Sequence, residues 1–109
     1  MASDKVLTER VRVLLKDKPD FNKKKMFGGV CFLLHGNMAC GILNDDLIVR
    51  VGPQNYEGLL KLPNIRQFDV TGKPMKGWVV VLAEGHKTKD DLALWVERGA
   101  TFALTLPAK

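Results

Sequence analysis

Residues 23–51, Lys-Lys-Lys-Met-Phe-Gly-Gly-Val-Cys-Phe-Leu-Leu-His-Gly-Asn-Met-Ala-Cys-Gly-Ile-Leu-Asn-Asp-Asp-Leu-Ile-Val-Arg-Val, decide the fold. They read as three short strands over 26–34, 38–43 and 47–51. The chain reverses at His35-Gly36 and around Asn44-Asp45-Asp46, where glycine and Asn/Asp tolerate a positive φ. Connections of hairpin length make the three strands antiparallel. The basic run Lys23-Lys24-Lys25 and the pair Gly28-Gly29 lie at the entrance. A glycine inside a strand marks a bulge or a close backbone approach, here to a helix or a partner.

Outward from this core, the N-terminal side predicts a helix over 4–16. Val6, Leu7, Val11, Leu14 and Leu15 recur at helical spacing. Ser3 or Asp4 is placed to cap it, and Pro19 ends it. On the C-terminal side Gly52-Pro53 opens a short helix marked by Tyr56, Leu59 and Leu60 and stopped by Pro63. Strands follow over 65–70 and 78–82, joined through Thr71-Gly72-Lys73-Pro74. Thr88-Lys89-Asp90-Asp91 resembles a capping box and starts a last helix, with Leu92, Trp95, Val96, Gly99, Phe102 and Ala103 on one face. The expected fold class is α+β, in the order α-β-β-β-α-β-β-α. One five-stranded antiparallel sheet carries the helices on one face in two layers.

A two-residue turn at His35-Gly36 places Leu34 opposite Asn37, Leu33 opposite Met38, Cys31 opposite Cys40 and Gly29 opposite Ile42. Alternation then assigns Phe27, Cys31, Leu33, Met38, Cys40, Ile42, Leu47, Val49 and Val51 to the core face. The reverse face collects Val30, Phe32, Leu34, Ala39, Leu43 and Ile48 beside Arg50. Six apolar side chains form a patch on the scale that marks an interface, unless a loop or terminus covers it. The expected binding face is therefore Phe32, Ile48 and Arg50, with Lys76 and Trp78. The facing cysteines read either as two small buried hydrophobes or as a strained cross-strand disulfide, and a longer turn separates them.

The chain has 109 residues, which suits one domain over 1–109. Its charged N-terminus lacks the apolar stretch of a signal peptide, and two cysteines without an export signal fit a reducing cytoplasm. No apolar run approaches the ~20 residues that span a bilayer. The net charge of +5 is modest, and with aromatic residues at 7% no base-stacking platform emerges. Lys23, Lys24 and Lys25 are the one basic cluster and the candidate nucleic-acid contact, assisted by Lys73 and Lys76; a solvated loop is the competing reading.

No catalytic set is legible. His35 and His86 sit in glycine-containing turns without metal-ligand spacing, Cys31 and Cys40 lack two further ligands, and no nucleophile elbow occurs. Asp45-Asp46 and Asp90-Asp91 are explained by a turn and a helix start. Gly28-Gly29 precedes a strand and not a helix N-terminus, so it is no phosphate loop. The expectation is a non-enzymatic chain with no cofactor and no metal.

Three blocks carry a family resemblance. Lys25-Met26-Phe27-Gly28-Gly29-Val30 with His35-Gly36-Asn37-Met38 and Leu47-Ile48-Val49-Arg50-Val51 is the first. Gly72-Lys73-Pro74-Met75-Lys76-Gly77-Trp78-Val79-Val80-Val81 is the second, and Leu94-Trp95-Val96-Glu97-Arg98-Gly99 the third. Together they resemble the N-terminal domain of the TfoX/Sxy family over nearly the whole chain. The resemblance implies a secretion-chaperone-like two-layer fold and a bacterial, cytoplasmic setting. In longer relatives it implies a link to the regulation of natural DNA uptake alongside the cyclic-AMP receptor protein. It supplies no catalytic residues, and the expectation is a first domain standing alone, without the second domain of those relatives.

Three functional readings follow. The leading one is a binding or regulatory domain that docks a protein partner, or a second copy, on the reverse face. The second is a nucleic-acid-associated transcription regulator using Lys23–Lys25, and the third a small-molecule site.

Overall fold

The computed structural model describes residues 5–26, 29–69 and 74–108, with the side chains of Met26 and Pro74 set aside. Its elements run α1 (Lys5–Leu15), β1 (Asn22–Met26), β2 (Gly29–Leu34), β3 (Asn37–Leu43), β4 (Asp46–Arg50), α2 (Pro53–Leu60), β5 (Ile65–Asp69), β6 (Pro74–Val81), a single 3₁₀ turn and α3 (Lys89–Thr105). All strand pairs are antiparallel, in the order β1-β2-β3-β4-β6-β5. The class is the expected α+β. Among the described residues the strands number six against the expected five, because the basic run Lys23–Lys25 is itself an edge strand paired to β2. The proposed cap at Ser3 or Asp4, the core position of Phe27 and the turn at 71–73 lie outside the described residues.

Local chemistry accounts for the elements. His35 and Gly36 adopt φ 53° and 79°, the pair of left-handed residues that closes a two-residue hairpin, so Leu34 faces Asn37 as expected. Pro53 opens α2, where its missing N–H costs nothing. The Thr88 hydroxyl accepts a hydrogen bond from the Asp91 amide at 3.1 Å, and Asp90 and Asp91 stand at the positive end of α3. In α1 only Leu7, Val11 and Leu15, spaced by four, are fully buried; Val6 is exposed.

The register departs from expectation two residues after the hairpin turn. Leu33 pairs with Met38, but Phe32 pairs with Cys40, Cys31 with Gly41 and Val30 with Ile42. One extra residue on β3 makes a bulge, and Ala39 and Cys40 are both fully buried in the cluster beneath the helices. A one-residue shift exchanges the faces of a strand. Val30, Phe32 and Leu34 therefore belong to the helix-covered core, whereas Cys31, Leu33 and Met38 belong to the outer face. The assignment of Cys40, Ile42, Leu47, Val49 and Val51 to the core holds.

Two neighbouring rows summarise the sheet. The inner row, Lys25–Val30–Ile42–Leu47–Val81–Ile65, is apolar across its four central strands and meets Leu7, Val11, Leu15, Tyr56, Leu92, Trp95 and Val96. The outer row is Lys24–Cys31–Gly41–Ile48–Val80–Arg66. α3 lies close on the sheet because of Gly99: a Cβ there would stand 2.4 Å from the Ala39 carbonyl oxygen, at the bulge. The close approach expected at the double glycine is to the sheet itself, since a Cβ on Gly29 would meet the Ile42 carbonyl at 2.2 Å.

Candidate functional site

The sequence-predicted binding residues separate in space. Phe32 is fully buried under the helices, where its ring stacks on Phe21 at 5.9 Å, so it forms no part of an exposed face. Leu34 is likewise internal. Ile48 does lie on the outer face but is 6% exposed. Four of the six residues of the expected apolar patch, Val30, Phe32, Leu34 and Ala39, thus fill the protein's own core, and the register shift is the reason.

The outer face that remains is small and cation-rimmed. Cys31, Ile48 and Val80 are buried yet stand outside the helix-covered cluster. Met38 contributes to their cover: its methyl lies 2.7 Å from where a Gly41 Cβ would stand, and the Cys31 sulfur lies 3.7 Å away. Arg66 reaches across β6 to Asp46, 3.4 Å between Nη2 and Oδ2, and its stem passes over the Val80 row. Lys24 and Arg66 are exposed at the two ends of the row, and Lys76 is exposed on β6.

Alternation divides the lysine run. Lys24 shares the outer face with Cys31, whereas Lys23 and Lys25 pair with Phe32 and Val30 and point to the helix side. A strand thus presents three adjacent lysines in two directions, which is also how edge strands are protected from pairing with other chains.

Arg50 and Trp78 are brought together as paired residues. The guanidinium carbon of Arg50 lies 5.1 Å from the Trp78 ring centre and 5.4 Å from that of Phe102 on α3, so the cation is held between two aromatic faces. Phe68 adds a third ring, 6.1 Å from Trp78. This cluster borders an open cleft of ≈ 640 Å³ between α2 and α3, with Val51, Leu59 and Phe102 among its apolar lining and Gln54, Arg98 and Thr101 among its polar lining. The cleft escaped sequence reasoning because it needs two helices far apart in the chain; its one sequence signal was Gly58, a glycine inside a short helix.

Two buried polar residues were also missed as structural ties. Asn37 donates from Nδ2 to the Pro107 carbonyl at 2.9 Å, pinning the hairpin to the C-terminal tail. The His86 ring bonds through Nε2 to the Asp45 carbonyl at 2.8 Å; because a carbonyl only accepts, Nε2 carries the proton. His35 stands 3.6 Å from Asp20 at the surface. The cysteines are free and on opposite faces, and burial raises both thiol pKa values, that of Cys40 strongly. Among the described residues no group of three or more His, Cys, Asp or Glu is assembled to hold a metal, and no helix is long and apolar enough to cross a membrane.

The model of the TfoX N-terminal domain matches residues 13–103. Among solved structures, Deinococcus radiodurans protein DR2400, which carries a DUF419 domain, superposes with a TM-score of 0.66 at 18% identity, covering 90% of this chain and 78% of that one. At that identity the likeness is one of fold. No curated protein matches the chain.

Proposed function

Because the chain belongs to the TfoX N-terminal domain family, we propose that it is a binding domain and not an enzyme, and that it associates with an acidic protein partner across the outer face of its sheet. One observation carries this reading. The outer row stands outside the helix-covered cluster, with exposed Lys24 at one end, Arg66 at the other, where it is ion-paired to Asp46, and Lys76 exposed on β6. The apolar residues between them are too closed to supply a large hydrophobic contact, so the rim charges select the partner and speed its encounter. The non-enzymatic part of the reading is supported by the structural use of two buried polar side chains: the His86 ring is tied through Nε2 to the Asp45 backbone carbonyl, and the Asn37 amide holds the tail at Pro107.

The test is affinity purification of the tagged chain from its native host, followed by binding of the identified partner in purified form. The wild type holds a stoichiometric acidic partner, and Lys24→Glu with Lys76→Glu releases it while the melting temperature stays put. Recovery of nuclease-sensitive material that is lost on replacing Lys23, Lys24 and Lys25 by alanine favours nucleic acid instead. Light scattering that reports a dimer insensitive to the Lys24 and Lys76 reversals sinks the acidic-partner reading.

A further inference from the structure

We infer that the cleft between α2 and α3 binds a small organic anion with an apolar body, held by Arg98. This is a second site, built by different residues from those of the outer sheet face. Its volume of ≈ 640 Å³ falls within the roughly 300–1,000 Å³ of small-molecule sites. Val51, Leu59 and Phe102 give it an apolar surface. Asn55 and Thr105, also in the lining, turn their side chains to the Val51 and Phe102 carbonyls, which leaves Gln54 and Thr101 as the neutral polar groups facing a ligand.

Two independent observations point to an occupant. The first is Gly58. A glycine weakens a helix relative to alanine, so its presence asks for a reason. Elsewhere that reason is internal. A Cβ on Gly29, Gly41, Gly52, Gly85 or Gly99 would strike an atom of the chain at 2.9 Å or less. At Gly58 nothing lies within 4 Å, and the missing side chain leaves free space in the cleft. No internal contact requires this glycine, and its exposed position keeps that wall of the cleft low.

The second observation is charge. Glu97, in the lining, is matched by Lys18 at 3.1 Å. Arg98, its neighbour, has no carboxylate partner among the described residues and lies on the Trp95 ring at 4.4 Å. Stacking holds one face of a guanidinium and leaves its N–H edge for an incoming anion. Arg50 adds a second such cation beside Phe102, the next turn of α3. The cleft thus joins an apolar surface with a few polar groups to the cations Arg98 and Arg50, which suits a carboxylate, sulfonate or phosphate carried on a hydrophobic group.

The probe is 8-anilino-1-naphthalenesulfonate, an aromatic anion that fluoresces on leaving water. Titrated into the cooperatively folded chain, it gives a saturable one-site rise that weakens with added salt. Arg98→Gln weakens binding about tenfold, the loss of one charge-assisted hydrogen bond. Gly58→Phe fills the cleft and removes binding. Should Gly58→Phe fail to fold, Thr101→Trp fills the same space from an exposed position on α3. Amide NMR shifts confined to 54–59 and 98–105 locate the probe. The inference is overturned by non-saturable binding, by equal affinity for uncharged N-phenyl-1-naphthylamine, or by undiminished binding to both Arg98→Gln and a folded cleft-filling variant. Loss of probe binding in these variants leaves Lys24 and Lys76 untouched, so this site and the outer face stand or fall separately.

Discussion

The two faces of the sheet are built from adjacent residues of the same strands, yet they do opposite work. On the inner row Val30, Ile42, Leu47 and Val81 present branched apolar side chains to three helices. On the outer row the corresponding positions are Cys31, Gly41, Ile48 and Val80, with a glycine at the centre and a methionine folded over it. Both rows are closed to water in the middle, but by different means. The inner face is closed by other elements of secondary structure, the outer by its own long side chains, Met38 and Arg66 among them. A face covered by whole elements carries the stability of the fold, whereas one covered by single side chains can be uncovered without unfolding it.

The widest gap between the faces is expected at two neighbours on β2. Phe32→Ala empties a fully buried site and should cost about 3–5 kcal/mol in urea unfolding. Leu33→Ala, on the half-exposed outer side, should cost about 1 kcal/mol. Equal costs, or the reverse order, would break the face assignment and with it the bulge at Ala39.

A smaller effect with a change of sign separates two helix glycines. Gly99→Ala drives a methyl against the Ala39 carbonyl and should destabilise by about 1–3 kcal/mol. Gly58→Ala enters open space and should stabilise by about 0.5–1 kcal/mol. A destabilising Gly58→Ala would mean that α2 lies closer to α3 than the cleft between them allows.

The thiols sharpen the comparison by rate. Alkylation at pH 8 in the native state should be slow at both cysteines, because burial raises their pKa values and suppresses the thiolate. Cys31, screened by side chains alone, should react well before Cys40, which waits for unfolding. Mass mapping of partially labelled protein decides the order, and Cys40 reacting first would contradict the placement of the two residues.

The smallest effect lies away from the sheet. Hydrogen bonding to Arg12 lowers the pKa of Glu9 below 4.5, so the group is ionised more readily when folded. Its contribution is complete above the unfolded pKa and disappears as pH falls through the lowered folded value. Exposure to solvent keeps it small, and Glu9→Gln should flatten only a slight part of the acid limb of the stability profile.

Much of this fold is legible in local chemistry. His35-Gly36 closes a two-residue hairpin because both residues take a positive φ, Pro53 and Thr88 start helices by what they lack or offer at the first turn, and the spacing of Leu7, Val11 and Leu15 gives the buried stripe of α1. Lys23–Lys25 was harder to read, because three lysines carry no apolar alternation; they form a strand through the ladder that β2 offers them. His86 and Asn37 looked like ordinary turn residues. Their roles come from partners 41 and 70 positions away, Asp45 and Pro107.

What the chain determined by itself is the order of its elements apart from the edge strand β1, the antiparallel reversal of its central strands and its family, since each depends on contacts between near neighbours or on short blocks of residues. Which side of β2 meets the helices was decided only in three dimensions. A single bulged residue at Ala39 inverts every side chain beyond it, and α3, arriving some sixty residues later, packs Gly99 against the Ala39 carbonyl of that bulge. The cleft has the same origin: α2 and α3 each form for local reasons, but the space between them exists only once both have packed on the sheet.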